Sequence, residues 1–208
     1  MNARSVMTVA AALIAAAACQ KKQPAPGTAA ATATNDSLPV VVLETSKGRI
    51  VMQLDRAKAP RTVENFLTHV NGHFYDGLIF HRVIQGFMIQ AGAQLPDGNQ
   101  RLSSAPPVPN EADNGLKNIR GAVALARTSD PNSGGTQFFI NLVDNPRLDF
   151  RSKTMDGWGY AVFGHVTEGM DVVDSIGAVR TRPDDVPVQP VVITSAYEET
   201  ASAAPPPQ

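Results

Sequence analysis

The sequence predicts a mainly β domain: a closed barrel of about eight short strands with two α-helices over its ends. Three observations carry this. Short runs of β-branched and apolar residues recur along the chain, each bounded by Gly, Pro, Asn or Asp, as strands joined by turns require. Glycine and proline are each present 16 times while aromatic residues make up 6% of the chain, a balance that favours turns over a helical bundle. Two segments, one opened by Pro60 and one following Gly169, carry apolar residues at helical spacing.

Leu38 to Leu43 is apolar and rich in valine, hence a strand. Thr45 to Gly48 is a turn, and Arg49 to Leu54 returns with Ile50, Met52 and Leu54 alternating on one face, completing a hairpin. Pro60 then opens a helix at a position where proline is tolerated. Val63, Phe66, Leu67 and Val70 form its buried stripe and Gly72 ends it, as a residue without a Cβ often does. His69 and His73 stand four apart, a metal-ligand spacing on a helix. The helix ends between them, however, and no third ligand accompanies them, so no metal is expected.

The stretch from Phe80 to Gln90, FHRVIQGFMIQ, reads as strand, tight turn, strand. Alternation places Phe80, Arg82 and Ile84 on one face and His81, Val83 and Gln85 on the other. Gln85-Gly86 supplies the turn, because glycine tolerates positive φ. Met88 and Gln90 share a face on the return strand. One permanent cation and one amide are thus held beside large apolar side chains, without a nucleophile, a carboxylate pair or a metal cluster. That set suits a neutral, amide-containing, apolar ligand, and any chemistry there must work by positioning and polarisation.

Gly92 to Gly115 is rich in Pro, Asn and Gly and reads as loop, a place for ligand contacts over a rigid scaffold. Gly121 to Arg127 is a strand of small residues, beside which another chain can approach closely. Ser129 to Gly135 is a dense turn cluster, and Gln137 to Asn141 is an apolar strand carrying amides. Ser133 lacks a G-x-S-x-G elbow, which argues against a serine hydrolase. Asn145 to Asp149 reads as a short turn or helical turn, Tyr160 to Gly164 as a strand, and Met170, Val173 and Ile176 as the stripe of the second helix. Val191 to Ile193 is the last strand, placed to pair with the first hairpin.

The net charge of −1 argues against a nucleic-acid binder, which needs a basic patch. The single cysteine, Cys19, excludes an internal disulfide. Residues 1–18 combine Arg4 with an apolar run from Val6 to Ala18 and read as a signal peptide. Cys19 directly follows Ala16, Ala17 and Ala18, as in a bacterial lipoprotein box, although leucine is usual where Ala16 stands. The same run also fits simple cleavage to a soluble periplasmic protein. Lipidation is favoured because a lone exposed thiol is a liability in an exported protein. Gln20, in place of an inner-membrane aspartate, points to the outer membrane. Residues 19–38 then form a flexible tether and residues 198–208 a loose tail.

Three motifs in order, FHRVIQGFMIQ at 80–90, TQFFI at 136–140 and VFG at 162–164, resemble the cyclophilin family of peptidyl-prolyl cis-trans isomerases. Asn110 to Gly115 and Ala124 to Thr128 resemble its bacterial branch. The resemblance covers residues 39–197 and implies an eight-stranded antiparallel barrel capped by two helices, working without a cofactor. It implies that Arg82 is the catalytic arginine and that Phe87, Met88, Phe139 and Leu148 form the proline pocket. Gln90 and Gln137 match the amides that hold the substrate backbone. Ala126, Arg127 and Thr128 match the strand beside which the peptide lies. Tyr160 falls where eukaryotic members carry a histidine. Arg147 stands where those members have the tryptophan that contacts cyclosporin, so weak cyclosporin binding is expected. The implied partners are proline-containing peptides and unfolded exported proteins, met by a monomer. The alternative is a module that binds such segments without turning them over.

Overall fold

The computed structural model describes residues 38–199. The signal-peptide and Cys19 readings, the tether up to residue 37 and the tail from residue 200 lie outside the described residues. Eight strands form one sheet: β1 (Val40–Thr45), β2 (Gly48–Leu54), β3 (Arg82–Ile84), β4 (Met88–Ala91), β5 (Ala122–Leu125), β6 (Phe138–Asn141), β7 (Val162–Glu168) and β8 (Ile193–Glu199). Their spatial order is β3-β4-β6-β5-β7-β2-β1-β8, and every pairing is antiparallel. Two helices accompany them, α1 (Pro60–Asn71) and α2 (Met170–Gly177).

The sheet curls into a half-barrel. Register shifts at Glu44/Thr45, Val51/Met52 and Val123/Ala124 mark where it bends, since an extra residue on one strand increases local twist. At its two ends, Gly77 N–H donates to Ile193 O (2.7 Å), Ile193 N–H to Leu78 O (2.8 Å) and Phe80 N–H to Val191 O (3.0 Å). Ile79 and Val192 form an isolated antiparallel bridge between them. The expected last strand at Val191 to Ile193 is therefore corrected. Val191 and Val192 join the segment before β3, and the strand that pairs with β1 begins at Ile193. It runs to Glu199, opposite Val40.

The first hairpin closes as expected, with Thr45 opposite Gly48 and the Thr45 hydroxyl donating to Gly48 O at 2.7 Å. In α1 the predicted stripe of Val63, Phe66, Leu67 and Val70 is buried. Ala59 at its N-terminus offers no side-chain cap. The cap comes from the distant loop: the Glu111 carboxylate accepts from Arg61 N–H (3.1 Å), Thr62 N–H (2.8 Å) and the Thr62 hydroxyl (2.7 Å). A carboxylate there satisfies open N–H groups and complements the helix dipole. His69 is buried with one ring nitrogen on Asn65 O and the other on Ser103 Oγ.

Phe66 centres the main core, its ring 5.3 Å from Phe138 and 5.1 Å from both Phe163 and Tyr75. The Tyr75 hydroxyl donates to Thr136 O at 2.9 Å, and burial raises its pKa far above the ordinary phenol range. Phe80 and Val83 both belong to this core, which corrects the placement of Phe80 beside Arg82. Phe80 precedes β3 within the seam, where strict alternation does not hold, so it turns inward while Arg82 turns outward.

Candidate active site

The site is a consequence of register. Arg82 lies opposite Gln90, Gln90 opposite Phe139, Phe139 opposite Ala124, and Ala124 opposite Val162. Directly opposed residues of antiparallel strands project to the same face. A row of cation, amide and aromatic side chains therefore crosses β3, β4 and β6, and the small Ala124 on β5 leaves space beside Phe139. The next row sets Ile84 opposite Met88 and Met88 opposite Asn141. These residues form a second apolar cluster of Met88, Ala122, Ala124, Phe139 and Val162, with Phe87, Ala126, Leu148 and Tyr160 packed against it. Gly86, at φ +70°, lets the β3–β4 loop turn back tightly, with Phe87 N–H on Ile84 O at 3.0 Å.

Arg82, Phe87, Met88, Gln90, Ala126, Arg127, Phe139, Leu148 and Tyr160 together line a cleft of ≈180 Å³. Thr128 and Gln137, the other two candidate residues on the described chain, line an adjoining depression of ≈360 Å³. It shares Gln90, Ala126 and Arg127 with the cleft. Gln90 Nε2 donates to Gln137 Oε1 at 2.8 Å, so the two amides brace each other where the hollows meet. Ala126 N–H is held by Gln137 O at 2.9 Å. Thr128 is tied to Ser133, whose hydroxyl oxygen accepts from Thr128 N–H (2.9 Å) and lies 2.8 Å from Thr128 Oγ1.

The walls are locked. Tyr160 meets Phe139 edge-on with ring centroids 5.5 Å apart. Arg127 sits 4.7 Å over the Tyr160 ring and donates to Gly159 O and Thr128 O, both at 2.8 Å. Arg147 lies 4.9 Å over the Phe87 ring. Leu148 arrives on a 3-10 turn, Pro146–Leu148, and its carbonyl accepts Tyr160 N–H at 2.9 Å.

Beneath the site runs a buried amide chain that no local pattern in the sequence shows. Asn145 Nδ2 donates to Asn141 Oδ1 (2.7 Å) and Phe87 O (3.1 Å), and Asn141 Nδ2 donates to Ala122 O (3.2 Å) and Asn118 Oδ1 (3.4 Å). Asn118 Nδ2 donates to Leu148 O (3.1 Å). Buried amides are stable only when so paired, and these pairs tie both pocket walls, Phe87 and Leu148, to β6.

His81 lies behind the site. Burial lowers its pKa below the ordinary 6.5, with Arg82 acting in the same direction and Gln137 and the Ile79 backbone opposing. Its Nδ1 is buried without a partner, consistent with a neutral ring. The unfolded chain takes up a proton near pH 6.5 that the folded chain resists, so it binds more protons below that pH. Stability is full above pH 6.5 and is lost as pH falls toward the lower folded value. His81→Gln should flatten this part of the profile, read from thermal melts between about pH 7.5 and 5. An unchanged slope would remove His81 as its source.

The family model for cyclophilin-type peptidyl-prolyl cis-trans isomerases matches residues 40–198. Isomerase cyp18 of Streptomyces antibioticus is 59% identical over 160 residues, covering 75% of this chain and 96% of that protein. Isomerase B of Escherichia coli is 49% identical over 160 residues, covering 75% and 97%. A cyclophilin-type isomerase of Cryptosporidium parvum, solved in the presence of the dipeptide Ala-Pro, superposes with a TM-score of 0.65 at 23% identity, covering 77% of this chain and 99% of that one. The matched region takes in all eight strands apart from the last residue of β8, and the bacterial relatives align over nearly their whole length. This chain belongs to the cyclophilin-type peptidyl-prolyl cis-trans isomerase family.

Proposed function

We propose that this protein rotates X-Pro peptide bonds in the cleft beside Arg82. The observation that carries this reading is the row Arg82, Gln90, Phe139, in which a guanidinium stands beside an apolar pocket. Amide rotation has a barrier of about 18–20 kcal/mol, and uncatalysed X-Pro exchange takes tens to hundreds of seconds. At the top of the barrier conjugation is lost, and the proline nitrogen becomes pyramidal with a localised lone pair. A donor aimed at that lone pair acts only on the twisted amide, so it lowers the barrier selectively. Arg82 is that donor. Phe87, Met88, Phe139 and Leu148 grip the proline ring while the preceding carbonyl swings. Desolvation in the pocket further weakens the planar form. The Gln90 and Gln137 amides and the Ala126 to Thr128 segment hold the flanking backbone. Each tenfold acceleration needs about 1.4 kcal/mol, so one charged hydrogen bond with desolvation supplies several powers of ten. A pure binding module would have no twisted amide for Arg82 to meet. Comparing turnover with peptide affinity separates the two readings.

The sheet is read as a closed barrel, supported by the hydrogen bonds between residues 77–80 and 191–193 at its two ends. Closure covers the start of β8 at Ile193 and steadies the segment that leads into Arg82.

The substrates are proline-containing segments of exported proteins. The apolar run before Cys19 and the tether after it support a periplasmic enzyme anchored at the outer membrane by lipidated Cys19. Labelled palmitate incorporated in wild type but not in Cys19→Ser supports the anchor, and no incorporation leaves a soluble periplasmic form.

Cyclosporin binds weakly in this reading, because the Arg147 guanidinium occupies the rim over Phe87. Arg147→Trp should tighten cyclosporin by roughly thirtyfold, the scale of one buried aromatic anchor. Titration calorimetry checks it, and unchanged affinity would show that the rim is set elsewhere.

A further inference from the structure

We propose that Asp185 is a positioning residue that holds the Arg82 guanidinium in its working orientation. This rests on the reading of Arg82 as the donor to the twisted amide. The segment between α2 and β8 folds back on itself, with Thr181 bridged to Pro187 and Arg182 N–H on Val186 O at 2.8 Å. At its tip, Asp185 N–H donates to Arg182 O at 3.0 Å. Asp185 there has φ +64°, one of two non-glycine residues with positive φ among those described. Such a conformation is unfavourable for most side chains and least so for Asn and Asp.

The strained tip grips two successive residues of β3. The Asp185 carbonyl accepts Val83 N–H at 2.8 Å, and its carboxylate faces Arg82, with Nε to Oδ2 at 3.4 Å. It is the one carboxylate in ion-pair reach of Arg82 among the described residues. The neighbouring Asp184 pairs instead with Arg182 at 3.6 Å. The Arg82 and Asp185 side chains are 45% and 39% exposed, and a pair so open to water adds little to stability. Its consequence is geometric. A carboxylate on Nε restricts rotation of the guanidinium plane and leaves both Nη groups for the cleft. The backbone bond fixes the strand beneath it. Orientation matters because a donor displaced by about 1 Å from a reacting atom can cost a hundredfold in rate.

The test compares wild type, Asp185→Gly, Asp185→Asn and Arg82→Ala in the full chain. Glycine keeps the positive φ and the carbonyl on Val83 but removes the carboxylate, and it is the residue best suited to that backbone. Asparagine keeps an oxygen acceptor for Nε without the charge. Asp185→Gly is expected to lower kcat by about tenfold with KM and the melting temperature near wild type. Asp185→Asn should recover most of that loss. The ¹⁵N-resolved Arg82 Nε–H resonance should be distinct in wild type and Asp185→Asn, and should move to the free-arginine position in Asp185→Gly. Wild-type kcat in Asp185→Gly while Arg82→Ala is inactive would overturn the role of Asp185 alone. A fall in kcat that tracks a fall in melting temperature would also overturn it, as a purely structural effect. Full activity in Arg82→Ala would overturn the reading of Arg82 itself.

Discussion

Arg82→Ala is expected to lower kcat/KM by about 10²–10³-fold, the scale seen when one donor to a developing charge is removed. The melting temperature should stay within about 2 °C, because Arg82 is exposed and its one ion pair is open to water. Peptide affinity should change little, since Phe87, Met88, Phe139 and Leu148 still provide the pocket. Arg82→Lys should recover only a small part of the loss. An ammonium keeps the charge but lacks the planar fork, and it is more strongly hydrated. A protease-free isomerisation assay with circular dichroism melts reads both quantities. Equal loss of activity and stability would mean that Arg82 supports the fold rather than the reaction.

Asn141→Leu should have the largest effect on stability, on the order of 3 kcal/mol. Asn141 is fully buried opposite Met88 on the floor of the site. Leucine fills a similar volume but bonds to nothing, so Asn145 Nδ2, Asn118 Oδ1 and Ala122 O each lose a partner. Asn145 Nδ2 also reaches Phe87 O, and Asn118 Nδ2 reaches Leu148 O. The pocket walls therefore loosen with the chain of amides. A domain of this size should melt lower by about 6–12 °C, with a higher KM for short X-Pro peptides. Calorimetry and steady-state assays check this. A variant that melts within about 2 °C of wild type would show that the amides are re-satisfied by other means.

The shared face of Met88 and Gln90 on β4 was legible because period-2 alternation is local, while the register that sets Gln90 between Arg82 and Phe139 was not. Pro60 opened α1 for the same reason, since it acts on its own backbone, whereas Gly72 keeps φ −84° and the chain turns left-handed only at His73, φ +54°. What failed was set by partners far away in the chain. Phe80 left the face of Arg82 because its N–H bond to Val191 O holds it in the seam. The first turn of α1 is capped by Glu111 rather than by Ala59. Asn141 and Asn145 read only as a strand end and the start of a turn, and Asn118 falls in no predicted element, although the three amides converge beneath the pocket. Asp185 sits in a loop with no motif, about a hundred positions from the arginine it contacts. Propensity describes neighbours in sequence, and these features depend on neighbours in space.

The most direct test is exchange NMR on a short Ala-Pro peptide with a small fraction of wild-type protein, repeated with Arg82→Ala. Wild type should bring cis-trans exchange from tens of seconds into the millisecond-to-second range, while the variant binds the peptide and leaves exchange near its uncatalysed rate. Peptide binding by wild type without faster exchange, or equal acceleration by both proteins, would contradict the assignment of Arg82 as the group that lowers the rotation barrier.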